Sequence, residues 1–423
     1  MASSNAFLGG AKGRLLPAAL VFRYFASALV FQALAWSALF FAAPALPGFA
    51  GGLGWPLAAL HLVTLGVLVM TAIATSLQLL PVASRQALSP SHWPYDLVWA
   101  VFTVGVLALC TGMAMTLPIL LLTGAILVTL ALLLYLVLLV RNLRGARGMP
   151  LVIAHCWAAA LSLLLLVGTG LSLASAYSAV SLLDRQSALT LHVTFGAYGF
   201  MGMLVMGFSY ILVPMLALCD NPAQRWSNLS LTLASAALAL ALPTALGVLP
   251  VHWFALALGA GALAFMIHVA LMLQCLRSGM RQGLGKSFVL VRLGWIGLAA
   301  SFVVALAQAC QAPAALPPGL LLVLLIGGLL TLLLGVLSRI VPFLAAMHAS
   351  TGQRRPPTAS SLTVQRALDL HFYSHLAALL LLLLALASDS VWLVRTSALL
   401  GLTGALAFGV FFATAWRRMT APA

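Results

Sequence analysis

Between Leu97 and Val140 the chain runs for 44 residues (140 − 97 + 1) without a charged side chain. A helix that crosses a bilayer needs about 20 mostly apolar residues. This run therefore holds two crossings, joined by a tight turn near Thr116–Pro118. Composition extends the point to the whole chain. Its 423 residues are 64% hydrophobic and 6% charged, with a mean hydropathy of +1.15, whereas soluble domains carry roughly 25% charged residues. Water-soluble enzymes, secreted disulfide scaffolds and disordered chains are excluded on that ground. The apolar runs have helix length rather than the ten-residue alternation of a barrel strand, so the expected fold class is all-α, a polytopic helical bundle.

Hydropathy predicts twelve crossings, at 17–45, 57–81, 97–117, 119–140, 150–176, 189–215, 228–247, 250–275, 288–311, 318–343, 370–388 and 393–415. Lys and Arg mark the cytoplasmic side of a membrane protein. They crowd the even-numbered loops and both ends, from Lys12 and Arg14 through Arg141, Arg144 and Arg147 to Arg354, Arg355, Arg417 and Arg418. The odd-numbered loops hold Arg185, and Arg395 opens the last span. Both termini are therefore expected in the cytoplasm, in a bacterial-type inner membrane. The stretch MASSNAFLGGAKGR lacks a signal-peptide cleavage pattern, so the first helix is expected to remain. Residues 1–423 are read as one transmembrane domain.

The acids number five, Asp96, Asp184, Asp220, Asp369 and Asp389, and there is no glutamate. A mechanism built on a membrane-embedded Glu is excluded. The net charge of +15 reflects anchoring at the cytoplasmic face, not nucleic-acid binding. Five scattered cysteines without a CxxC argue against a disulfide framework or thiolate cluster.

Three spans end alike: SLQLLPVAS at 76–84, SYILVPMLA at 209–217 and SRIVPFLA at 338–345. Their prolines, Pro81, Pro214 and Pro342, lie 133 (214 − 81) and 128 (342 − 214) residues apart. These are spans 2, 6 and 10, so the repeating unit is four helices used three times, at about 17–140, 150–275 and 288–415. Spans 2, 6 and 10 are expected nearest the axis. Span 2 opens with His61 and Thr64, span 6 with His192 and Thr194. The histidines precede their prolines by 20 and 22 residues (81 − 61, 214 − 192), about 30 Å of helix.

Polar groups are too costly to face lipid, so the stripe His61, Thr64, Thr71, Thr75, Gln78 on span 2 points inward. The same holds for His192, Gly196, Gly199, Met203, Met206, Tyr210 on span 6. The glycines fit either close helix packing or a flat cofactor. His61 and His192 sit at equal depth on two related helices, where two imidazoles can approach one iron from opposite sides; structural hydrogen bonding is the alternative. Thr64 and Thr194 are candidates to orient the rings. His371 and His375, spaced i and i+4, are weak copper candidates, with solvated histidines near the cytoplasmic interface as the plainer reading. Met203 and Met206 are weak copper candidates of the same standing, against ordinary gap-filling. His92, His155, His252 and His348 read as interfacial; His92, His155 and His348, together with Cys156, leave open a cytoplasmic copper entry site. Arg339 is expected to bond carbonyls freed by Pro342 and the hydroxyls of Ser76, Ser209 and Tyr210, or to snorkel outward.

Twelve helices in three arcs, with His on spans 2 and 6 in LHLVTLGVLVMTAIATSLQLLPV and LHVTFGAYGFMGMLVMGFSYILVPM, resemble heme–copper oxidase subunit I and the NnrS family of heme- and copper-containing membrane proteins linked to nitric oxide metabolism. The resemblance implies heme b ligation at His61 and a copper-site position at His192. Span 7 and the membrane part of span 10 lack the further histidines of that family, so a degenerate binuclear centre is implied.

The expected function is a membrane heme protein, with or without copper, in electron transfer, nitric oxide handling or a respiratory accessory role. Its expected partners are lipid and other respiratory or denitrification subunits. A copper or small-ligand transporter or assembly factor, and a non-catalytic scaffold subunit, are the alternatives. Heme propionates need cations, which on the outer side are Arg185 and Arg395; their other reading is as solvated loop charges.

Overall fold

The computed structural model describes residues 14–420 except 15, 89–90, 179, 181, 282, 311–315, 318 and 350–356. Lys12, Arg354 and Arg355, used above for orientation, lie outside the described residues. Among the described residues there are twelve helices long and apolar enough to cross a membrane and no strand. They are α1 (Ala18–Ala42), α2 (Trp55–Ser84), α3 (Trp93–Ala114), α4 (Pro118–Arg144), α5 (Pro150–Ser178), α6 (Arg185–Ala217), α7 (Gln224–Ala245), α8 (His252–Ser278), α9 (Lys286–Ala309), α10 (Leu320–Ala349), α11 (Gln365–Ser388) and α12 (Val391–Thr420). Each expected span is present, with ends moved by a few residues. The largest shifts put α10 six residues further (349 − 343) and start α11 five residues earlier (370 − 365).

Small residues bring consecutive helices together. A Cβ at Gly112 of α3 or at Gly124 of α4 would strike the backbone of Leu121 or Leu109 across the hairpin. Between lipid-soluble helices such close approach, not hydrophobic exclusion, supplies the attraction. Two ion pairs bridge helices one apart in sequence, Arg23 to Asp96 (α1–α3) and Lys286 to Asp369 (α9–α11, 2.9 Å).

The core lies along α2, α6 and α10, which touch one another. Their apolar windows are 67%, 78% and 56% buried, against 28–50% for the other nine. They run parallel, since His61 meets His192 at their N-terminal ends and Gln78 meets His348 at the C-terminal ends of α2 and α10 (3.4 Å). Their two halves differ in packing. In the C-terminal halves nearly every residue is buried, as in Gly66–Ala74 and Met206–Pro214. In the N-terminal halves Leu60, His61, Val63–Leu65, His192–Thr194, and Leu320–Leu324 keep part of their surface accessible.

α2 and α6 share two local irregularities. Each widens into a π-helical segment, Leu62–Val69 and Thr194–Met201, one and two residues after its histidine. Each ends four residues after its proline in a left-handed residue, Arg85 (φ 57°) and Leu218 (φ 55°). α10 does not stop there and stays helical from Pro342 to Ala349.

Candidate functional site

His61 and His192 are brought face to face. Their ring centroids are 6.3 Å apart and their planes 28° from parallel. Both rings are enclosed by the bundle, yet each residue is only half-buried. His61 Nδ1 lies 3.0 Å from the Leu57 carbonyl. With Nδ1–H donating there, Nε2 is left as the free lone pair, the arrangement in which metal-bound histidines are oriented. His192 Nδ1 is buried and unbonded, close to the Leu166 carbonyl. Gly170 of α5 makes room for this ring, since a Cβ there would lie 3.1 Å from His192 Cε1.

The spacing has a chemical meaning. A first-row metal holds imidazole nitrogen at about 2.0–2.1 Å. Two imidazoles in trans then have centroids about 6.4 Å apart, and the observed separation is 6.3 Å. π-helical turns are frequent at functional sites because the extra residue re-aims side chains, and here one follows each histidine. Among the described residues no group of three or more His, Cys, Asp or Glu could hold a metal.

Several expectations about individual residues are corrected. The Leu57 carbonyl, not Thr64, lies against His61 Nδ1, and Thr194 faces a cavity between α6, α7, α8 and α9. The glycines of α6 are taken up by helix packing: Gly199 lies against Ser162 and Gly196 against Leu166. Gly66 lies against Phe31 in the same way. His371 and His375 are not solvated. Each is 1% exposed, with His371 Nδ1 3.0 Å from the Gly404 carbonyl and His375 Nε2 2.9 Å from Thr331 Oγ1. His155 is not interfacial but fully buried. Arg339 bonds neither Ser76, Ser209 nor Tyr210. It turns to the start of α9, donating to Ser287 Oγ (2.8 Å) and the Leu284 carbonyl.

Arg185 opens α6 seven residues before His192, exposed, over the Tyr177 ring and near Gly51. Asp184 caps that helix, its carboxylate accepting from Ser187 N at 2.9 Å. The Ser187 bonds hold this carboxyl below its usual range. Arg395 lies between Phe40 and Trp392, with centroids at 5.5 and 5.4 Å. Met203 and Met206 line the cavity between α6, α7, α8 and α9, of about 70 Å³, together with Tyr198, Phe265 and Phe302. His252 is exposed beside Trp253, as an interfacial residue should be.

A second polar cluster was not legible in the sequence. His155 of α5 and His268 of α8 flank Tyr210 of α6, with ring centroids 5.6 and 5.1 Å from the phenol ring. His268 sits in the long apolar run of α8, and that isolation was the available signal.

In comparisons with known proteins, the chain matches no family model and no curated protein.

Proposed function

We propose that the protein is a membrane heme protein in which His61 and His192 would hold one heme b iron. The observation that carries this reading is their 6.3 Å, nearly parallel apposition. The half-buried positions of both residues and the anchored Nδ1 of His61 support that group. When bound, such an iron supplies one-electron chemistry, suited to electron transfer or nitric oxide handling within a respiratory membrane. The chain's own residues set the ligand field. His61 is held by Leu57, His192 is admitted by Gly170, and both are aimed by their π-helical turns. Arg185, and less directly Arg395, supply positive charge for the propionates.

The architecture we propose is three related four-helix arcs, as in oxidase subunit I, without its second metal site. Three likenesses between units support it: the π-helical turns of α2 and α6, their matching left-handed ends, and the ion pairs α1–α3 and α9–α11. Both termini are placed in the cytoplasm, of a bacterial inner membrane, on the Lys and Arg distribution.

The deciding measurement is an absorption spectrum of protein purified from heme-replete cells. A b-type Soret band, lost in His61→Ala and in His192→Ala, is expected. A colourless preparation overturns the reading. Arg185→Gln is expected to lower the midpoint potential, because removing a nearby positive charge favours the more positive, oxidised iron. An unchanged potential and unchanged heme retention remove Arg185 from the site.

A further inference from the structure

The start of α9 gathers more positive charge than the chain neutralises. Arg339 of α10 reaches it half-buried and bonds only neutral acceptors, Ser287 Oγ (2.8 Å) and the Leu284 carbonyl. Arg281, exposed on the loop before α9, places a second charge within electrostatic reach of Arg339. Lys286, the first residue of α9, does have a partner, Asp369 at 2.9 Å. That acid is then taken, since its carboxylate also accepts from Gln365 Nε2 at 2.8 Å. The first turn of α9 holds no acid of its own. The other four acids of the chain do not serve either. Asp96 pairs with Arg23, Asp184 caps α6, and Asp389 lies at the far end of α11 from Asp369. Asp220, on the loop after α6, is exposed, and among the described residues no ion pair joins it to Arg281 or Arg339.

A third cation carries the patch toward lipid. Arg292 lies six residues into α9 (292 − 286), about 9 Å along the helix. It is exposed, and it falls at helical spacing between Val289 and Ile296, which are 42% and 63% exposed. This face of α9 meets lipid, where a charge without a counter-ion is costly. Arg23, five residues into α1 (23 − 18), stands at a comparable depth and is neutralised inside the protein by Asp96. Arg292 has no such acid, and its side chain is long enough to snorkel to the interface. Gly285, about two turns before Arg292, sits at the head of the same face with φ 70°. Its missing side chain leaves the Arg339 guanidinium uncovered, since a Cβ there would lie 3.4 Å from Arg339 Nη2. A Cβ at Gly283 would meet nothing within 4 Å, so other side chains do not pack over this loop.

We propose that Arg281, Arg292 and Arg339 bind the headgroup phosphate of an anionic phospholipid, with its acyl chains along Val289 and Ile296 of α9. Guanidinium groups match phosphate oxygens in pairs, and the apolar face below them matches the chains. The lipid must carry net negative charge. A zwitterionic headgroup brings a cation of its own and leaves the excess charge of the patch in place. The α8–α9 loop then lies in the leaflet to which the Lys and Arg distribution assigns it, where anionic lipid attracts basic segments. The site does not depend on the heme reading, and a protein free of heme would retain it.

Native mass spectrometry of the full-length protein in a neutral detergent decides it, with dioleoylphosphatidylglycerol as the probe and dioleoylphosphatidylcholine as the comparison lipid. Phosphatidylglycerol is expected to be held at least about fivefold more tightly. Arg281→Gln and Arg292→Gln are each expected to weaken its binding about fivefold, the scale of one basic residue at a charged membrane surface. Arg339 is left intact in these variants because its bonds hold the loop before α9. Arg144→Gln, at an exposed arginine ending α4, is expected to change nothing. Millimolar inorganic phosphate is expected not to displace the lipid. Equal retention of the two lipids overturns the proposal, as does unchanged binding in either Arg281→Gln or Arg292→Gln. Equal weakening in Arg144→Gln overturns it in favour of diffuse surface attraction, and displacement by phosphate overturns it in favour of a free anion.

Discussion

An imidazole inside a bundle is defined by what its two nitrogens meet. His375 gives Nε2 to Thr331 and His371 gives Nδ1 to Gly404, which is structural bonding. His61 gives Nδ1 to the backbone, leaving Nε2 free beside the His192 ring. Gly170 offers a direct test of this aim. A side chain there presses on His192, whereas Gly168, two residues away, has nothing within 4 Å. Gly170→Val is expected to weaken heme retention about tenfold, the scale seen when ligand-supporting groups are lost. Gly168→Ala should leave it unchanged. Titrating the apoprotein with hemin measures both. Equal retention in the two variants would show that Gly170 does not position the ring.

At the scale of elements, the π-helical turns carry the functional geometry. A residue removed from a helix rotates what precedes it by about 100°. Deleting Leu65 from Leu62–Val69 is expected to swing His61 away from His192 while α2 still spans. The heme should be lost from a protein that remains monodisperse on size exclusion. Retained heme would mean that the π-helical turn does not aim the ligand. The ends of the same helices store strain. Arg85 and Leu218 are left-handed without being glycine, at about 1–2 kcal/mol each. Leu218→Gly should therefore raise the melting temperature in detergent. Asp184 adds a pH dependence at the start of α6. Its carboxyl titrates below the usual range because Ser187 bonds the ionised form. The capping contribution is present above the ordinary carboxylate range and disappears as pH falls through the lowered value. Asp184→Asn should flatten the acid limb of a melting-temperature profile; an unchanged limb would show that the cap does not contribute.

Among the described residues, nine of the long helices surround the other three, and the histidines meet at the less buried end of those three. Orientation in the membrane is testable at this scale. In a Cys310→Ser background, His92→Cys and Leu182→Cys are both exposed positions, on loops assigned to opposite faces. An impermeant maleimide should label Leu182→Cys in intact spheroplasts and His92→Cys only after lysis. The reverse pattern would invert the topology.

The twelve crossings were legible because each is a continuous apolar run, and the bilayer fixes the length such a run must have. The approach of His61 to His192 was legible too, from their matching places at the starts of two spans of similar sequence, and their rings lie 6.3 Å apart. Other features depended on how distant segments close on one another. His155, Tyr210 and His268 are separated by 55 and 58 residues (210 − 155, 268 − 210), so no local spacing announces their meeting. His371 and His375 look interfacial beside Arg366 and Asp369, yet the face they share turns toward α10 and α12 and is buried there. Arg339 finds its partners on α9 and the loop before it, across 52 and 55 residues. Hydropathy along one chain determines which segments leave water. Which polar groups then meet depends on helix rotation and close approach, and these are decided only when the bundle packs.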